Sequence, residues 1–309
     1  PTVKGTFVAP TVLEIKSLEQ LTQEVFGPVL HVIRYKRSEL PQLVQSINDS
    51  GYGLTLGIHT RIDETIAFIT KRAHVGNIYV NRNIVGAVVG VQPFGGEGKS
   101  GTGPKAGGPL YLKRLQRNAP AGAQHQRQAP PALDALTVWA KMHGHDKVEQ
   151  LAQEYARTTL LGSTTVLPGP TGERNTLSFA SRGTILCAAA TSGTLMNQLA
   201  AVLATGNQAL VLAQAPDLIP GDLPAALKDR IQIITSLESV KHDFLIAMIE
   251  PSLDAQLKPL LAARDGALVA TIATTQDGAI PLWRLVAERA LCVNTTAAGG
   301  NASLMMLSV

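Results

Sequence analysis

Three segments decide the fold of the first third of the chain: PVLHVIRYK at 28–36, LTLGIHT at 54–60 and NIYVN at 77–81. Each is rich in β-branched and other apolar residues, which predicts a β-strand. The stretches between them, at 40–50 and 63–75, place apolar residues at helical spacing, which predicts a helix in each gap. Alternating strands and helices are typical of βαβ units, whose strands pair in parallel. We therefore expect an α/β fold built on a parallel sheet.

Polar residues and glycines mark the ends of the two predicted helices. Ser38 is expected to cap the first helix, and Gly51 is expected to end it. Asp63 is expected to cap the second helix, which should end near Gly76.

A glycine-rich segment, GAVVGVQPFGGEGKSGTGPKAGG at 86–108, follows the third strand. Glycine is unfavourable in helices and strands, so this segment is expected to form a loop with open backbone N–H groups. The next segment, PLYLKRL at 109–115, is predicted to be a strand. Residues 116–131 have no apolar periodicity and are predicted to be a linker.

A second α/β unit is expected after the linker. Residues 132–161 have helical periodicity, RGTILCAAA at 182–190 is typical of a buried strand, and the helix after it should end at Gly206. Further strands are predicted in QALVLAQ (208–214), RIQIIT (230–235), DFLIAMI (243–249) and GALVATIAT (266–274), and a helix in WRLVAERA (283–290). One short echo pairs Tyr79-Val80-Asn81 with Cys292-Val293-Asn294. It is either chance or a sign of two related domains.

Composition and charge exclude several classes of protein. The chain is 45% hydrophobic and 16% charged, which is typical of a packed protein and not of a disordered one. The net charge is +4, with no basic run and no aromatics interleaved with Lys or Arg, so we expect no nucleic-acid binding through this chain. The two cysteines, Cys187 and Cys292, lack metal-like spacing and are interpreted as buried thiols in a reducing cytoplasm. We predict no transmembrane segment and no signal peptide.

Four motifs occur together in a recognisable order: EVFGPV at 24–29, YGLTLGIHT at 52–60, GNIYVNR at 76–82 and QPFGGEGKSGTGPKAGGP at 92–109. In this order and spacing they resemble the last third of an aldehyde dehydrogenase. The end of the last motif resembles the glutamate-semialdehyde (pyrroline-5-carboxylate) dehydrogenase branch, and most closely that domain in the bifunctional proline utilization A family.

The resemblance implies a fold and a division of the chain. Residues 1–115 are expected to be the C-terminal part of an aldehyde dehydrogenase catalytic domain, truncated because the chain opens on Pro1 directly into a strand pattern. Residues 132–309 resemble the non-catalytic domain that follows in long members of the family, with VNTTAAGGNASLM at 293–305 resembling its closing motif. The expected fold is thus aldehyde-dehydrogenase-like α/β, with parallel βαβ sheets and a degenerate Rossmann-like second domain.

The resemblance also implies roles for two residues near the cofactor. Glu24 corresponds to the family glutamate that accepts hydrogen bonds from the nicotinamide ribose hydroxyls, which suits an acceptor-only carboxylate. Phe26 is expected to pack beside the nicotinamide. The alternative is an ordinary surface glutamate and a core phenylalanine.

Ser100, Gly101 and Thr102 fall where the family has an aldehyde-anchor loop, whose N–H and hydroxyl groups bind the α-carboxylate of the semialdehyde. A surface loop without function is the alternative. Phe94 is expected to line the aldehyde channel or simply to pack in the core. Lys99 and Lys105 are interpreted as solvated loop charges in preference to substrate-steering groups.

No catalytic residue and no metal ligand is expected in the chain. The family nucleophile lies in a GQRCS-like segment, and neither Cys187 nor Cys292 has those neighbours. In the second domain, Leu212-Ala213-Gln214 replaces the Lys-Pro-Ser whose lysine reaches the adenosine ribose, so tight NAD binding there is not expected. His143 and His145 lack further ligands nearby and are interpreted as surface histidines.

The expected function is therefore that of a part of a larger enzyme. The parent would oxidise proline to glutamate with an FAD-dependent proline dehydrogenase outside this chain and an NAD-dependent semialdehyde dehydrogenase. Its partners would be the remainder of the polypeptide and glutamate semialdehyde, with a homo-oligomer as a further alternative. The location would be cytoplasmic, the parent being either free or peripheral at a bacterial inner membrane. Alternative roles for the chain are an interaction module without catalysis or a weak nucleotide-binding domain.

Overall fold

A computed structural model describes residues 4–116, 130–213, 218–240 and 244–296. Within these ranges the helices are α1 (Leu40–Asp49), α2 (Asp63–Arg72), α3 (Tyr111–Leu115), α4 (Pro131–Met142), α5 (Asp146–Thr158), α6 (Ser192–Ala204), α7 (Ala225–Lys228) and α8 (Asp254–Ala262). The strands are β1 (Thr11–Glu14), β2 (Val29–Val32), β3 (Tyr52–Gly53), β4 (Thr55–Ile58), β5 (Asn77–Val80), β6 (Glu97–Gly98), β7 (Thr164–Leu167), β8 (Glu173–Ser181), β9 (Thr184–Ala188), β10 (Gln208–Leu212), β11 (Ile231–Ile234), β12 (Ile246–Ile249), β13 (Ala270–Ala273) and β14 (Val286–Asn294).

The second half of the chain contains a parallel five-stranded sheet in the order β11-β10-β9-β12-β13. In chain order this is 3-2-1-4-5, the strand order of a doubly wound Rossmann sheet. The central strand β9 has the near-continuous apolar sequence of a strand that is covered on both faces, and Ile185 to Ala188 are buried. Helix α6 links β9 to β10 and is itself buried along most of its length. This sheet confirms the predicted α/β class.

A second sheet joins strands from both sides of the predicted linker, in the order β4-β5-β14-β8-β7. Strand β14 pairs in parallel with β5 and antiparallel with β8. In this register Tyr79 lies opposite Cys292 and Val80 lies opposite Val293. The two halves of the sequence echo are therefore hydrogen-bonded neighbours in the register in which they align.

The apolar clusters cross the predicted linker as well. Ile58, Ile66 and Val80 pack in one cluster with Val293. Another cluster packs Leu110 against residues of β8 and β14. The division at 116–131 stays a prediction, since most of that segment lies outside the described residues and α4 begins at Pro131.

Two secondary-structure predictions are wrong. Residues 109–115 were expected to form a strand, but Tyr111–Leu115 is helical because only Leu110 is held in a core and no free sheet edge accepts the segment. Residues 283–290 were expected to form a helix, but most of this segment belongs to β14. Pairing with a strand on each side outweighs the helical spacing of its apolar residues.

The predicted helix caps are also shifted. Helix α1 follows a 3₁₀ turn at Arg37–Glu39, so Glu39 and not Ser38 is its N-cap residue. Ile62 precedes α2, and Asp63 is the first helical residue. Among the described residues, no helix combines the length and the apolar character that crossing a membrane would require.

Candidate functional site

Residues 92–108, the predicted substrate loop, are called the anchor loop here. This loop is held by the side chain of Asn77, the first residue of β5. The amide Nδ2 of the buried Asn77 donates to the carbonyl oxygen of Pro93 at 2.9 Å. Its Oδ1 accepts from the backbone N–H of Gly95 at 3.1 Å and from Nζ of Lys105 at 3.0 Å. One side chain on a sheet strand thus fixes both ends of the loop.

Lys105 is not the solvated charge that was expected. Lys105 is only 2% exposed, and its Nζ donates to the carbonyl oxygen of Gly95 as well as to Oδ1 of Asn77. Burial lowers the pKa of Lys105 to about 8, against the opposing effect of the Glu288 carboxylate. That carboxylate also accepts from the backbone N–H of Lys105 at 2.8 Å, so β14 of the second half holds the anchor loop too. Lys99, by contrast, is exposed and donates to the carbonyl oxygen of Ser50.

The structure brings Ser100, Gly101 and Thr102 into one turn of the anchor loop. The hydroxyl oxygen of Ser100 accepts from the backbone N–H of Gly53 at 3.1 Å, which leaves its hydroxyl proton free to donate. Thr102 is exposed. Phe94 lies on the other arm of the loop, partly buried and paired with Ala106 through two backbone hydrogen bonds.

Gly76 permits the close approach of the anchor loop to β5. A Cβ atom at Gly76 would overlap the carbonyl oxygen of Gly95, which is backbone and has no alternative rotamer. The glycine directly before the strand is therefore required sterically, not for turn formation alone.

Glu24 and Phe26 lie on the irregular segment between a 3₁₀ turn (Leu18–Gln20) and β2, away from any described core. Phe26 is 95% exposed, and Glu24 is exposed and makes no hydrogen bond with the described residues. Their roles beside the nicotinamide and its ribose stay a prediction, and the expectation of a core phenylalanine does not hold for Phe26. No hydrogen bond or apolar cluster of described residues joins the two to the anchor loop.

In the second half the strand order reverses between β9 and β12, and a Rossmann fold binds its cofactor in the crevice beyond the carboxyl ends of two such strands. The carboxylate of Glu250, the residue after β12, lies at the loop that precedes the N-terminus of α6. Its Oε2 accepts from the backbone N–H of Ala190 at 2.9 Å and of Thr191 at 3.2 Å, and from the Thr191 hydroxyl at 3.3 Å. An internal carboxylate thus binds N–H groups at the position where a pyrophosphate would bind.

Further side chains fill the same crevice. A Cβ atom at Gly193 would lie 2.5 Å from Cδ of Gln276, so this glutamine packs directly on the first turn of α6. Asn197 of α6 donates to the carbonyl oxygens of Thr275 and Gly278, both at 2.8 Å. Of the residues expected to replace the ribose-binding lysine, Leu212 is buried, and Gln214 lies outside the described residues.

The two cysteines are buried, as their apolar surroundings predicted. Burial raises the pKa of both thiols. For Cys292 the effect is opposed by Arg82, whose Nη1 donates to Sγ at 3.1 Å. Neither environment is that of an activated nucleophile.

His143 and His145 both stack on Trp139, with their ring centroids 5.0 and 4.9 Å from that of the tryptophan. Nε2 of His143 lies 2.9 Å from a carboxylate oxygen of Asp222. In the described ranges no group of His, Cys, Asp and Glu could hold a metal ion.

Comparison with known proteins supports the resemblance found in the sequence. The family model described as Aldehyde dehydrogenase family matches residues 1–118. The chain is 48% identical to the Bifunctional protein PutA of Escherichia coli strain K12, over 98% of this chain and 24% of that protein. The resemblance to the PutA family is confirmed. The chain spans about a quarter of the length of the PutA proteins that it matches.

A dehydrogenase and a solved structure are also similar to this chain. A 1-pyrroline-5-carboxylate dehydrogenase of Bacillus subtilis is 41% identical over 35% of this chain and 21% of its own length. The solved structure of Proline Utilization A from Corynebacterium freiburgense is 23% identical and covers 92% of this chain and 27% of its own, with a TM-score of 0.62. This likeness confirms the aldehyde-dehydrogenase-like α/β fold.

Sequence reasoning missed three polar residues that shape these sites. Asn77 is the one polar residue at the head of an apolar strand, and this departure from the pattern is a usable signal. Glu288 was missed because its segment was assigned to a helix. Glu250 could not be found, since its partners at Ala190 and Thr191 lie about sixty residues away in the chain.

Proposed function

We propose that this chain is the C-terminal part of a bifunctional proline-catabolic enzyme and contributes to NAD-dependent oxidation of glutamate semialdehyde to glutamate. The observation that carries the proposal is the anchor loop, which is fixed by Asn77 from β5 and by Glu288 from β14. It presents the Ser100–Thr102 turn on a rigid base. The similarity to PutA proteins over nearly the whole chain supports the same assignment.

The residues of this chain would bind and orient the semialdehyde and NAD, and would not take part in the chemical step. The Ser100 hydroxyl, which already accepts a hydrogen bond from Gly53, donates a hydrogen bond to the α-carboxylate of the semialdehyde. The exposed Thr102 hydroxyl adds a second donor. Glu24 accepts hydrogen bonds from the ribose hydroxyls, and Phe26 packs beside the nicotinamide. NAD supplies the hydride acceptor. The nucleophile, the base and the FAD-dependent proline dehydrogenase belong to the rest of the polypeptide, so the chain alone is inactive.

Steady-state kinetics of the full-length protein test these roles. Glu24→Gln is expected to raise KM for NAD about tenfold, the loss of one charge-assisted contact, with little change in KM for the semialdehyde. Thr102→Ala is expected to raise KM for the semialdehyde and to leave KM for NAD nearly unchanged. Glu19→Gln, on a nearby exposed carboxylate, is the matched control. If neither Michaelis constant changes in its own variant, the assigned roles are wrong.

The second role we propose, for residues 132–309, is to cover the catalytic domain and help close the path of the intermediate. Strand β14 supports this role because it extends the sheet of β4 and β5 and contacts the anchor loop. Deleting residues 132–309 from the full-length protein should reduce coupled turnover of proline to glutamate more than oxidation of added semialdehyde. Equal losses would favour a purely structural interaction module.

Weak nucleotide binding by the second half is the remaining alternative, and the Glu250 carboxylate in the crevice argues against it. A calorimetric titration of the 309-residue chain with NAD is expected to show no micromolar site that depends on residues 132–309. Homo-oligomerisation and a cytoplasmic or membrane-peripheral location belong to the whole protein and are proposed only with it.

A further inference from the structure

A small pocket lies between the anchor loop and the amino ends of β12 and β13. It is therefore at the opposite end of the parallel sheet from the crevice that Glu250 fills. Its cavity volume is about 20 Å³, far below the several hundred Å³ that a nucleotide needs. The walls are formed by the anchor loop, the sheet and the segment entering β14: Thr102, Gly103, Pro104, Ile246, Ala270 and Trp283, together with four charged residues.

Three of the charged residues are arginines, Arg114, Arg182 and Arg284. Nε of Arg182 donates to the carbonyl oxygen of Val286 at 3.0 Å, and Nη2 of Arg284 donates to that of Thr271 at 3.0 Å. None of the three arginines lies within ion-pair distance of a carboxylate among the described residues. Each of the two partly buried guanidinium groups thus keeps most of its N–H donors without a protein acceptor.

The fourth charged residue is Glu288, and it does not neutralise the arginines. Its Oε2 accepts from the backbone N–H of Lys105, and the positive charge of the Lys105 ammonium group acts on the same carboxylate. Its Oε1 is buried without a hydrogen-bond partner in the described structure. Among the lining residues there are thus three positive charges against one negative charge, which Lys105 shares, while the Glu97 carboxylate also acts on Arg182 from outside the lining.

Mutual repulsion accompanies this arrangement. Burial, together with the charges of Arg114 and Arg182, lowers the pKa of Arg284 to about 10. Like charges gathered around a partly desolvated cavity are costly unless an anion joins them.

We propose that this three-arginine pocket binds a small oxyanion bearing a carboxylate or phosphate-type group. The planar guanidinium fork matches the paired oxygens of such groups, and a cavity of this size excludes a nucleotide. The oxyanion comes either from solution or from an acidic side chain elsewhere in the longer polypeptide, and the chemistry of the site is the same. This inference does not depend on the proposed enzymatic function.

Inorganic phosphate is the probe for binding in solution, titrated calorimetrically into the full-length protein at constant ionic strength without NAD or aldehyde. Arg284→Gln is expected to weaken phosphate binding at least about tenfold, the loss of one charge-assisted contact. Arg114→Gln, on the exposed rim of the pocket, should act in the same direction and tests the site if the first variant does not fold. Arg230→Gln, on an exposed arginine outside the pocket, is the matched control.

Crystals of the full-length protein soaked in selenate separate the two sources. An anomalous selenium peak within hydrogen-bond distance of two of the arginines identifies a free oxyanion. An Asp or Glu side chain of the longer polypeptide in that place, with no phosphate binding in solution, identifies an internal one. Water alone in the pocket, or phosphate binding that neither arginine variant weakens, would overturn the proposal.

Discussion

Lys105 carries an amine inside the molecule, among the backbone carbonyl of Gly95, the amide of Asn77 and the carboxylate of Glu288. Burial lowers its pKa from 10.5 to about 8 in the folded chain, whereas the unfolded chain keeps the ordinary value. Between these two values the unfolded state binds the proton more tightly than the folded state. Stability should therefore rise with pH over this window, by at most about 3 kcal/mol.

Urea unfolding at pH 7.5, 8.5 and 9.5 measures this gain. Lys105→Met is expected to lose the part of the pH dependence that Lys105 causes, and the difference between variant and parent removes the contributions of the tyrosines. Lys99→Met, on the exposed lysine of the same loop, serves as the matched control. A Lys105→Met slope equal to that of the parent would show that this amine is not the titrating group.

At the residue scale, the sequence marked the glycine-rich loop as a candidate site but did not show which charges are buried in it. The substrate-binding role of Ser100, Gly101 and Thr102 rests on a local motif and stays a prediction. Lys105 could not be assigned, since a lysine among glycines is solvated unless a distant Asn77 and Glu288 surround it. Sequence distance hides such partners, and burial of a charge is decided by them alone.

The loop that enters helix α6 is held by the carboxylate of Glu250, while Thr191 is the N-cap residue of the helix itself. Removing Glu250 by the change to Ala leaves the N–H groups of Ala190 and Thr191 without this acceptor. The free energy of unfolding should fall by about 1–2 kcal/mol, the usual cost of losing charge-assisted hydrogen bonds. Chemical denaturation measures it.

Glu154→Ala removes an exposed carboxylate from helix α5 and is the comparison for the Glu250 variant. A loss of similar size in both variants would mean that Glu250 acts only through the net charge of the protein. An unchanged stability in the Glu250 variant would mean that water replaces the carboxylate at the end of α6.

At the element scale, prediction succeeded where a segment is long or covered on both faces. The strands β9, β10 and β12 were found from their apolar runs, and α6 from its period. The segment at 283–290 failed because its apolar residues fit a helix as well as a strand, and only pairing with β5 and β8 decides. No element was predicted for the segments that form β7 and β8, whose sequences are mostly polar and carry no long apolar run.

For the whole molecule, the sheet shared by β5 and β14 predicts that the two sides of the linker hold together without a covalent bond. After cleavage at a protease site introduced between residues 117 and 129, the fragments should co-elute in size-exclusion chromatography. Val293→Asp is expected to separate them, because Val293 is buried with Ile58, Ile66 and Val80 in one cluster.

Val166→Asp supplies the control for this dissociation, since Val166 is a strand valine that is 54% exposed. Its fragments should stay together after cleavage. Separation of the parent fragments themselves would contradict a strong interface between the two sides.

The same shared sheet has a consequence for synthesis on the ribosome. Strand β5 ends at Val80, and its parallel partner β14 ends only at Asn294. At translation rates of ~5–20 residues per second, the intervening roughly 210 residues take about 10–40 seconds to emerge. During that interval the edge of β5 that later pairs with β14 is exposed, and an unpaired strand edge can pair with another chain. Ribosome-bound intermediates of this protein should therefore need chaperone protection until the last strand is complete.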